Sequence, residues 1–293
     1  MPQSVFITGA NGGFGRLTTL SLLDAGHRVV ATMRNIDTRN LAAADELRTA
    51  GADVVELDVT DDTSVENAVA NAVELLGGLD VIINNAGVGS IGLLETFTPA
   101  DWQAVFDINV FGVQRVNRAA LPLMRERGAG LLVVVSSVVG RMALPFFGTY
   151  NAAKFAVEGL AETYRSELSP LGIETCIVEP GAYPTNFIDG LMQSSDRSRD
   201  VSYGDMVNAP RNLVGSFEGV MASSPAQDPQ NVADAIVALI DTPAGERRFR
   251  TLVDSLGMAD AVAPYNEAAE QMTAGIYGAF GMSDLLEVNT GAR

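Results

Sequence analysis

Cysteine and histidine are nearly absent from this sequence: Cys176 and His27 are the only ones among 293 residues. A single cysteine allows no internal disulfide and no thiolate metal cluster. A single histidine removes a Ser-His hydrolase relay and ordinary His-based zinc sites. Basic residues are also scarce, 19 Lys and Arg against 36 Asp and Glu, for a formal net charge of −17. That balance disfavours non-specific binding to DNA or to an anionic membrane. An anionic ligand would need local positive charge and backbone amides. No apolar run reaches the roughly 20 residues that span a bilayer. No basic segment with an apolar stretch behind it opens the chain, since strand-like Val5-Phe6-Ile7 begins almost at once. The expectation is a soluble, cytoplasmic protein with no nucleic-acid, membrane or metal partner. Its chemistry must use Tyr, Lys, Ser and Asn.

Hydrophobic residues make up 47% of the chain, too many for general disorder and enough for a substantial core. Apolar strand patterns at residues 5–7, 27–32, 53–57, 79–83, 131–135 and 172–179 alternate with helical patterns at 16–25, 42–50, 64–76, 99–124 and 150–168. Such alternation requires an α/β fold with a parallel, doubly wound sheet and helices on both faces. One domain over residues 1–293 is predicted. Residues 182–228 change character, with many Ser, Asp, Asn, Gly and Pro and only short apolar pieces, and read as a mobile lid over the strand ends. A helix at 229–241, a last strand at 248–253, a helix at 264–280 and a loose tail complete the chain.

The first strand runs into Thr8-Gly9-Ala10-Asn11-Gly12-Gly13-Phe14-Gly15 and then a helix. Glycines there permit a tight turn and close approach of backbone to a ligand. The helix aims its unpaired N–H groups and positive dipole end at the same place, which suits a pyrophosphate. The second strand ends at Met33-Arg34 with no acid before Asp37. An acid there would bond ribose hydroxyls in an NAD-type site, whereas Arg34 can receive a 2′-phosphate with its planar fork. Asp58, followed by Val59, can accept from an adenine amino group or hold the turn before the next helix. Asn84-Asn85-Ala86-Gly87 ends the fourth strand with small and amide residues that permit approach to a cofactor, or simply form a turn. Asn109 is a poor helix-interior residue, suited there to binding a water or a backbone group.

The strand at 131–135 ends in Ser136-Ser137, and a helical pattern from Tyr150 places Lys154 on the same face one turn later. Open parallel sheets bind ligands at that carboxyl edge. A free phenol, with a pKa near ~10, is a poor base at neutral pH, and a nearby cation favours the phenolate. The Ser137 hydroxyl can hold and polarise a carbonyl oxygen. Together these groups suit proton transfer to or from an alcohol or carbonyl.

In this combination and order, Thr8-Gly9-x-x-x-Gly13-x-Gly15, Asp58, Asn84–Gly87, Asn109, Ser137, Tyr150-x-x-x-Lys154 and Pro180-Gly181, the chain resembles a short-chain dehydrogenase/reductase of the compact form, over residues 5–185. The resemblance implies that Tyr150 is the general acid/base and Ser137 steadies the reacting oxygen. It implies that Lys154 lowers the phenol's pKa and grips the nicotinamide ribose, and that Asn109 holds a water linking Lys154 to solvent. Thr185 would contact the nicotinamide carboxamide, and Asn85 and Ala86 would line the cofactor. Met33-Arg34 matches an NADP-type pattern; Gly12, where such members often carry a basic residue, does not. NADP(H) is favoured, with NAD(H) as the alternative. The long lid resembles members acting on bulky hydrophobic carbonyls or alcohols, and pairing through the helices at 99–124 and 150–168 would give a homodimer or homotetramer. Val138, Val139, Met142, Leu144, Phe146, Phe147 and Tyr183 are placed on an apolar substrate wall. A dehalogenase-type relative is disfavoured by Lys154 and the glycines; a non-catalytic dinucleotide-sensing regulator is the rival from another class.

Overall fold

The computed structural model describes residues 1–291. Its main sheet has seven parallel strands, β1 (Ser4–Thr8), β2 (Arg28–Met33), β3 (Asp53–Glu56), β4 (Val81–Asn84), β6 (Gly130–Val135), β7 (Ile173–Pro180) and β9 (Arg250–Val253). They lie in the order β3-β2-β1-β4-β6-β7-β9. The direction of winding reverses between β1 and β4, which opens a crevice at their carboxyl ends. The fold is thus the α/β, doubly wound, Rossmann-type sheet that the alternation predicts.

Both sheet faces are buried, and that explains the unbroken apolar runs. Successive side chains of β1 point to opposite faces. Val5 and Ile7 pack with Leu22 of α1 (Gly13–Asp24), Leu47 of α2 (Leu41–Ala50) and Val232 and Ile236 of α8 (Gln230–Asp241). Phe6 packs on the other side with Val65 and Val69 of α3 (Asp62–Leu76) and Val116 and Met124 of α5 (Gly112–Arg127). No helix among the described residues is long and apolar enough to cross a membrane.

Four stretches differ from the sequence reading. The helix expected at 99–124 is α4 (Pro99–Phe106), a π-helical turn over Asp107–Phe111, and then α5. Asn109 lies in that turn, where its side-chain amide donates to the Val105 carbonyl four residues back at 2.9 Å. An amide that competes for backbone partners widens the helix at that point.

Residues 182–228 are not merely polar loop. Met192–Gln193 (β8) pairs in parallel with Ser90–Ile91 (β5), 3₁₀ turns cover Arg197–Asn208, and α7 spans Ala209–Ala222. Ser195 donates to Asp101 through its backbone N at 3.1 Å and its hydroxyl at 2.8 Å, and the Tyr203 hydroxyl donates to Glu95 at 2.6 Å. The closing helix α9 begins earlier than expected, at Met258, and runs to Ala279 with Pro264 inside it. The tail expected to be loose packs back: Ser169 Oγ donates to the Leu285 carbonyl at 2.6 Å and Asn289 N to the Ser169 carbonyl at 2.8 Å. The last part of that expected tail, residues 292–293, lies outside the described residues.

Candidate active site

A cavity of about 560 Å³ runs along the carboxyl edge of the sheet, from the glycine turn to the start of α6 (Gly148–Leu168). Gly9 takes a φ of 69°, and a Cβ there would lie 2.8 Å from Ala86 Cα. At Gly15 a Cβ would come within 2.5 Å of the Asn85 amide nitrogen. These positions require glycine because the ends of β1 and β4 are stitched together. Asn85 donates its side-chain N–H to the Thr8 and Gly9 carbonyls at 2.9 and 3.0 Å, and the Thr8 hydroxyl accepts from Asn85 N and Ala86 N. α1 starts with no side-chain cap, so its first N–H groups are available to an anion. Asn11, Gly13, Phe14, Gly87, Val59, Gly181 and Thr185 line the same cavity. The built cradle fits a dinucleotide pyrophosphate.

At the far end of that groove, Arg34 Nη1 stands 3.5 Å from Asp58 Oδ2, with both side chains partly exposed. Burial pushes the Asp58 carboxyl up, but hydrogen bonds from Thr60 and the Arg34 guanidinium outweigh it and leave it below its ordinary value. Asp58 does not cap the next helix. Asp61 does, accepting from Ser64 N at 2.6 Å, while Asp58 holds the turn by accepting from Thr60 N and Oγ1 at 2.9 and 2.7 Å. Arg39, which the sequence reading missed, also lines this end. The signal available was only a second cation five residues beyond Arg34, and it takes the turn at Asn35, with its φ of 55°, to bring Arg39 back.

At the other end β6 delivers Ser137 and α6 delivers Tyr150 and Lys154, all three buried. The Ser137 hydroxyl donates to the Pro180 carbonyl at 3.2 Å. Lys154 Nζ donates to the Val135 carbonyl at 2.8 Å and sits 5.7 Å from the centre of the Tyr150 ring. Burial pushes the Tyr150 phenol well above its ordinary value, a hydrogen bond with Ser137 working against it. Burial dominates, so the phenol is held protonated. Burial pulls the Lys154 ammonium down to about 8, opposed by the charge of Glu158.

Asn109 stands close by, but its amide nitrogen is spent on the Val88 and Val105 carbonyls, both at 2.9 Å, and its Oδ1 accepts from Val88 N at 3.1 Å. It clamps the loop after β4 to the π-helical turn. The water-holding role that the resemblance implies is not carried by that amide nitrogen.

The expected apolar wall is largely assembled. Val138, Val139, Phe147 and Tyr150 form one cluster with Met142, Leu144 and Phe146 packed against it. Of these, Met142 and Phe146 stand behind the cavity rather than in its lining. Phe146 holds a φ of 68°, unusual for a bulky side chain. Tyr183 is the exception. It packs under the glycine turn, edge-on to Phe14 at 5.5 Å, within the core cluster of α1 and α8, and meets the cavity from the glycine-turn end. Phe187 (5.4 Å from the Tyr150 ring) and Val214, Phe217 and Met221 of α7 complete the wall. They lie in the stretch read as polar, and the helical spacing of 214, 217 and 221 was the signal that could have found them.

The sequence profile of the short chain dehydrogenase family matches residues 3–195. A 3-ketodihydrosphingosine reductase of Bacteroides thetaiotaomicron is 37% identical over 70% of this chain and 72% of its own length. Retinol dehydrogenase 8 of Bos taurus is 36% identical over 85% of this chain and 81% of its own. Among solved structures, a short-chain dehydrogenase/reductase from Burkholderia phymatum in complex with NAD superposes with a TM-score of 0.75. It is 28% identical, over 92% of this chain and 95% of that one.

Proposed function

Because this chain belongs to the short-chain dehydrogenase family of oxidoreductases, we propose that it moves a hydride between NADP(H) and a bulky, hydrophobic carbonyl or secondary alcohol, with Tyr150 as general acid and base. The observation that carries this reading is the meeting of Ser137, Tyr150 and Lys154 beside a cavity that runs back to the glycine turn. The bound dinucleotide supplies the hydride. The chain's own residues do the rest. Ser137 turns its hydroxyl from Pro180 to the substrate oxygen and steadies it. In reduction Tyr150, held protonated by its burial, gives its proton to that oxygen. In oxidation it first loses its proton to solvent, the Lys154 ammonium stabilises the resulting phenolate, and the phenolate then takes the proton from the alcohol oxygen.

Gly9, Gly13 and Gly15 take the pyrophosphate in this reading, and Arg34, with Arg39 beside it, takes a 2′-phosphate. NAD(H) is the alternative, favoured by the Asp58 carboxylate at the same end of the groove and by the NAD held in the Burkholderia relative. The test is turnover with NADPH and NADH over carbonyls from small aldehydes to steroid-sized ketones. Arg34→Ala is expected to lower kcat/KM for NADPH about 10- to 100-fold, the worth of one charge-assisted hydrogen bond, and to leave NADH nearly unchanged. Equal losses with both cofactors would remove Arg34 as the phosphate reader.

The substrate end is apolar, and residues 182–228 serve as the lid that brings α7 over it. Phe147 is 8% exposed, lines the cavity and packs 6.3 Å from Phe217 of α7. Phe147→Ala is therefore expected to lower kcat/KM for bulky ketones about tenfold more than for small ones, a difference of one buried ring contact. Unchanged relative rates across the panel would count against an apolar wall at this position. Phe111 and Phe155 are exposed on the helices through which family members pair, which supports a homodimer or homotetramer; a cytoplasmic setting is part of the same reading.

A further inference from the structure

Behind the site, α6 carries a second buried charge that the chemistry above does not use. Glu158 follows Lys154 by one helical turn, so the two share a face. Lys154 is 7% exposed and Glu158 1%. Glu158 Oε2 accepts from Arg250 at 3.1 Å and lies 4.0 Å from Arg141. Its Oε1 has no hydrogen-bond partner among the described residues. That oxygen faces Gly140, where a Cβ would lie 3.2 Å from it and 2.8 Å from Ser136 Oγ. Gly140 thus leaves room for a carboxylate directly behind the strand end that delivers Ser137. The other charges around the pair are Glu179 from β7, Glu162 one turn further along α6, and Glu270 of α9, which faces Arg250. A buried carboxylate with one oxygen uncommitted is costly unless a neighbour uses its charge.

We propose that Glu158 is a positioning residue of this site: its carboxylate, held from behind by Arg250, sits one turn from Lys154 on the same buried face and keeps its ammonium charged beside Tyr150. The inference rests on the Tyr150–Lys154 reading above. Burial alone draws the Lys154 proton off, and Glu158 opposes it. Without Glu158, Lys154 therefore discharges at lower pH, and whatever depends on its charge is lost earlier as pH rises.

The test follows two quantities from neutral to alkaline pH: NADPH binding, read by its fluorescence, and NADPH-linked carbonyl reduction. Glu158→Gln is expected to move the alkaline limb of both down by on the order of one pH unit, and Glu158→Asp to restore most of it. Arg141→Gln, which removes a cation facing the same carboxylate, moves the limb up. A uniform fall at every pH with the limb in place overturns the proposal, as does movement of both variants in one direction. If Glu158→Gln does not fold, Arg141→Gln decides alone, because a limb that stays or moves down is fatal. Lys154→Met assigns the limb. If it abolishes neither the limb nor turnover, the Tyr150–Lys154 reading has failed. If it abolishes both while Glu158→Gln leaves the limb untouched, only the present inference has.

Discussion

Tyr150→Phe is expected to lower carbonyl reduction by about 10²- to 10⁴-fold, the range a positioned proton donor contributes, and to leave NADPH binding nearly unchanged. The substitution removes one oxygen from a ring that is otherwise held by apolar contacts. Tyr150 is 9% exposed, packs 5.4 Å from Phe187 and belongs to the cluster of Val138, Val139 and Phe147. Phenylalanine keeps all of these. The tyrosine hydroxyl interacts with Ser137, and Ser137 retains the Pro180 carbonyl as its partner in the variant. Folding should therefore survive, and the comparison isolates the proton. The measurement is single-turnover reduction of a ketone that the wild-type protein accepts, with NADPH binding measured on the same sample. Turnover within threefold of wild type would mean that the proton comes from elsewhere, and the site assignment would fall with it. Loss of NADPH binding would mean that the phenol shapes the cofactor site instead. Tight binding of a dinucleotide by the wild-type protein with no turnover would bring forward the reading as a sensor.

Much of this site is legible in the sequence because its parts are local. The central strands β1, β4 and β6, buried on both faces, appear as apolar runs, and the ends of the predicted strands differ from the structure by a residue or two. The glycine turn, the paired asparagines and the Tyr–Lys spacing each lie within a few residues, so their geometry is set by one turn or one helix. Where the reading failed, the cause lies in contacts between distant segments. Asn109 was recognisable as a misfit inside a helix, but the π-helical turn it makes depends on its bonds to Val88, 21 residues earlier. Tyr183 follows Pro180-Gly181 as a substrate-wall residue would, yet its ring packs edge-on against Phe14, 169 positions away, within the core cluster of α1 and α8. In α7 the apolar residues are diluted by Pro, Asn and Gly, and their helical spacing gains meaning only once Phe147 stands opposite. The buried ion network draws on β7, α6, β9, α9 and the loop after Gly140, and no spacing links those five.

That network sets the largest stability effect expected in the molecule. Arg250→Leu should destabilise the fold by roughly 3–5 kcal/mol at neutral pH, the cost of breaking a buried ion pair from one side. At this size it corresponds to a fall in Tm of roughly 10 °C. The Arg250 side chain is 5% exposed, bonds Glu158 at 3.1 Å and Glu179 at 3.2 Å, also pairs with Glu162, and stacks on Phe249 at 4.6 Å. Leucine restores part of the packing but leaves Glu158 with only the Arg141 charge 4.0 Å away and Glu179 with the Asn266 amide as donor. Glu179 gives the loss a pH dependence. Its complete burial and the charge of Glu158 push its carboxyl up to about 7, against the pull of Arg250. A carboxyl raised above its unfolded value contributes stability at acid pH that is lost as pH rises through the folded value. Removing the guanidinium raises Glu179 further, so the variant's loss should be smaller near pH ~5, where the Glu158 and Glu162 contacts are still missing, and largest above pH ~7. Adding Glu179→Gln should recover part of the loss at high pH and little at low pH. Thermal unfolding of the three proteins at both pH values decides the matter. A loss equal at both would make Arg250 a packing residue, whereas a loss clearly larger at high pH would show that its charge is what holds β7, β9 and α6 together behind the site.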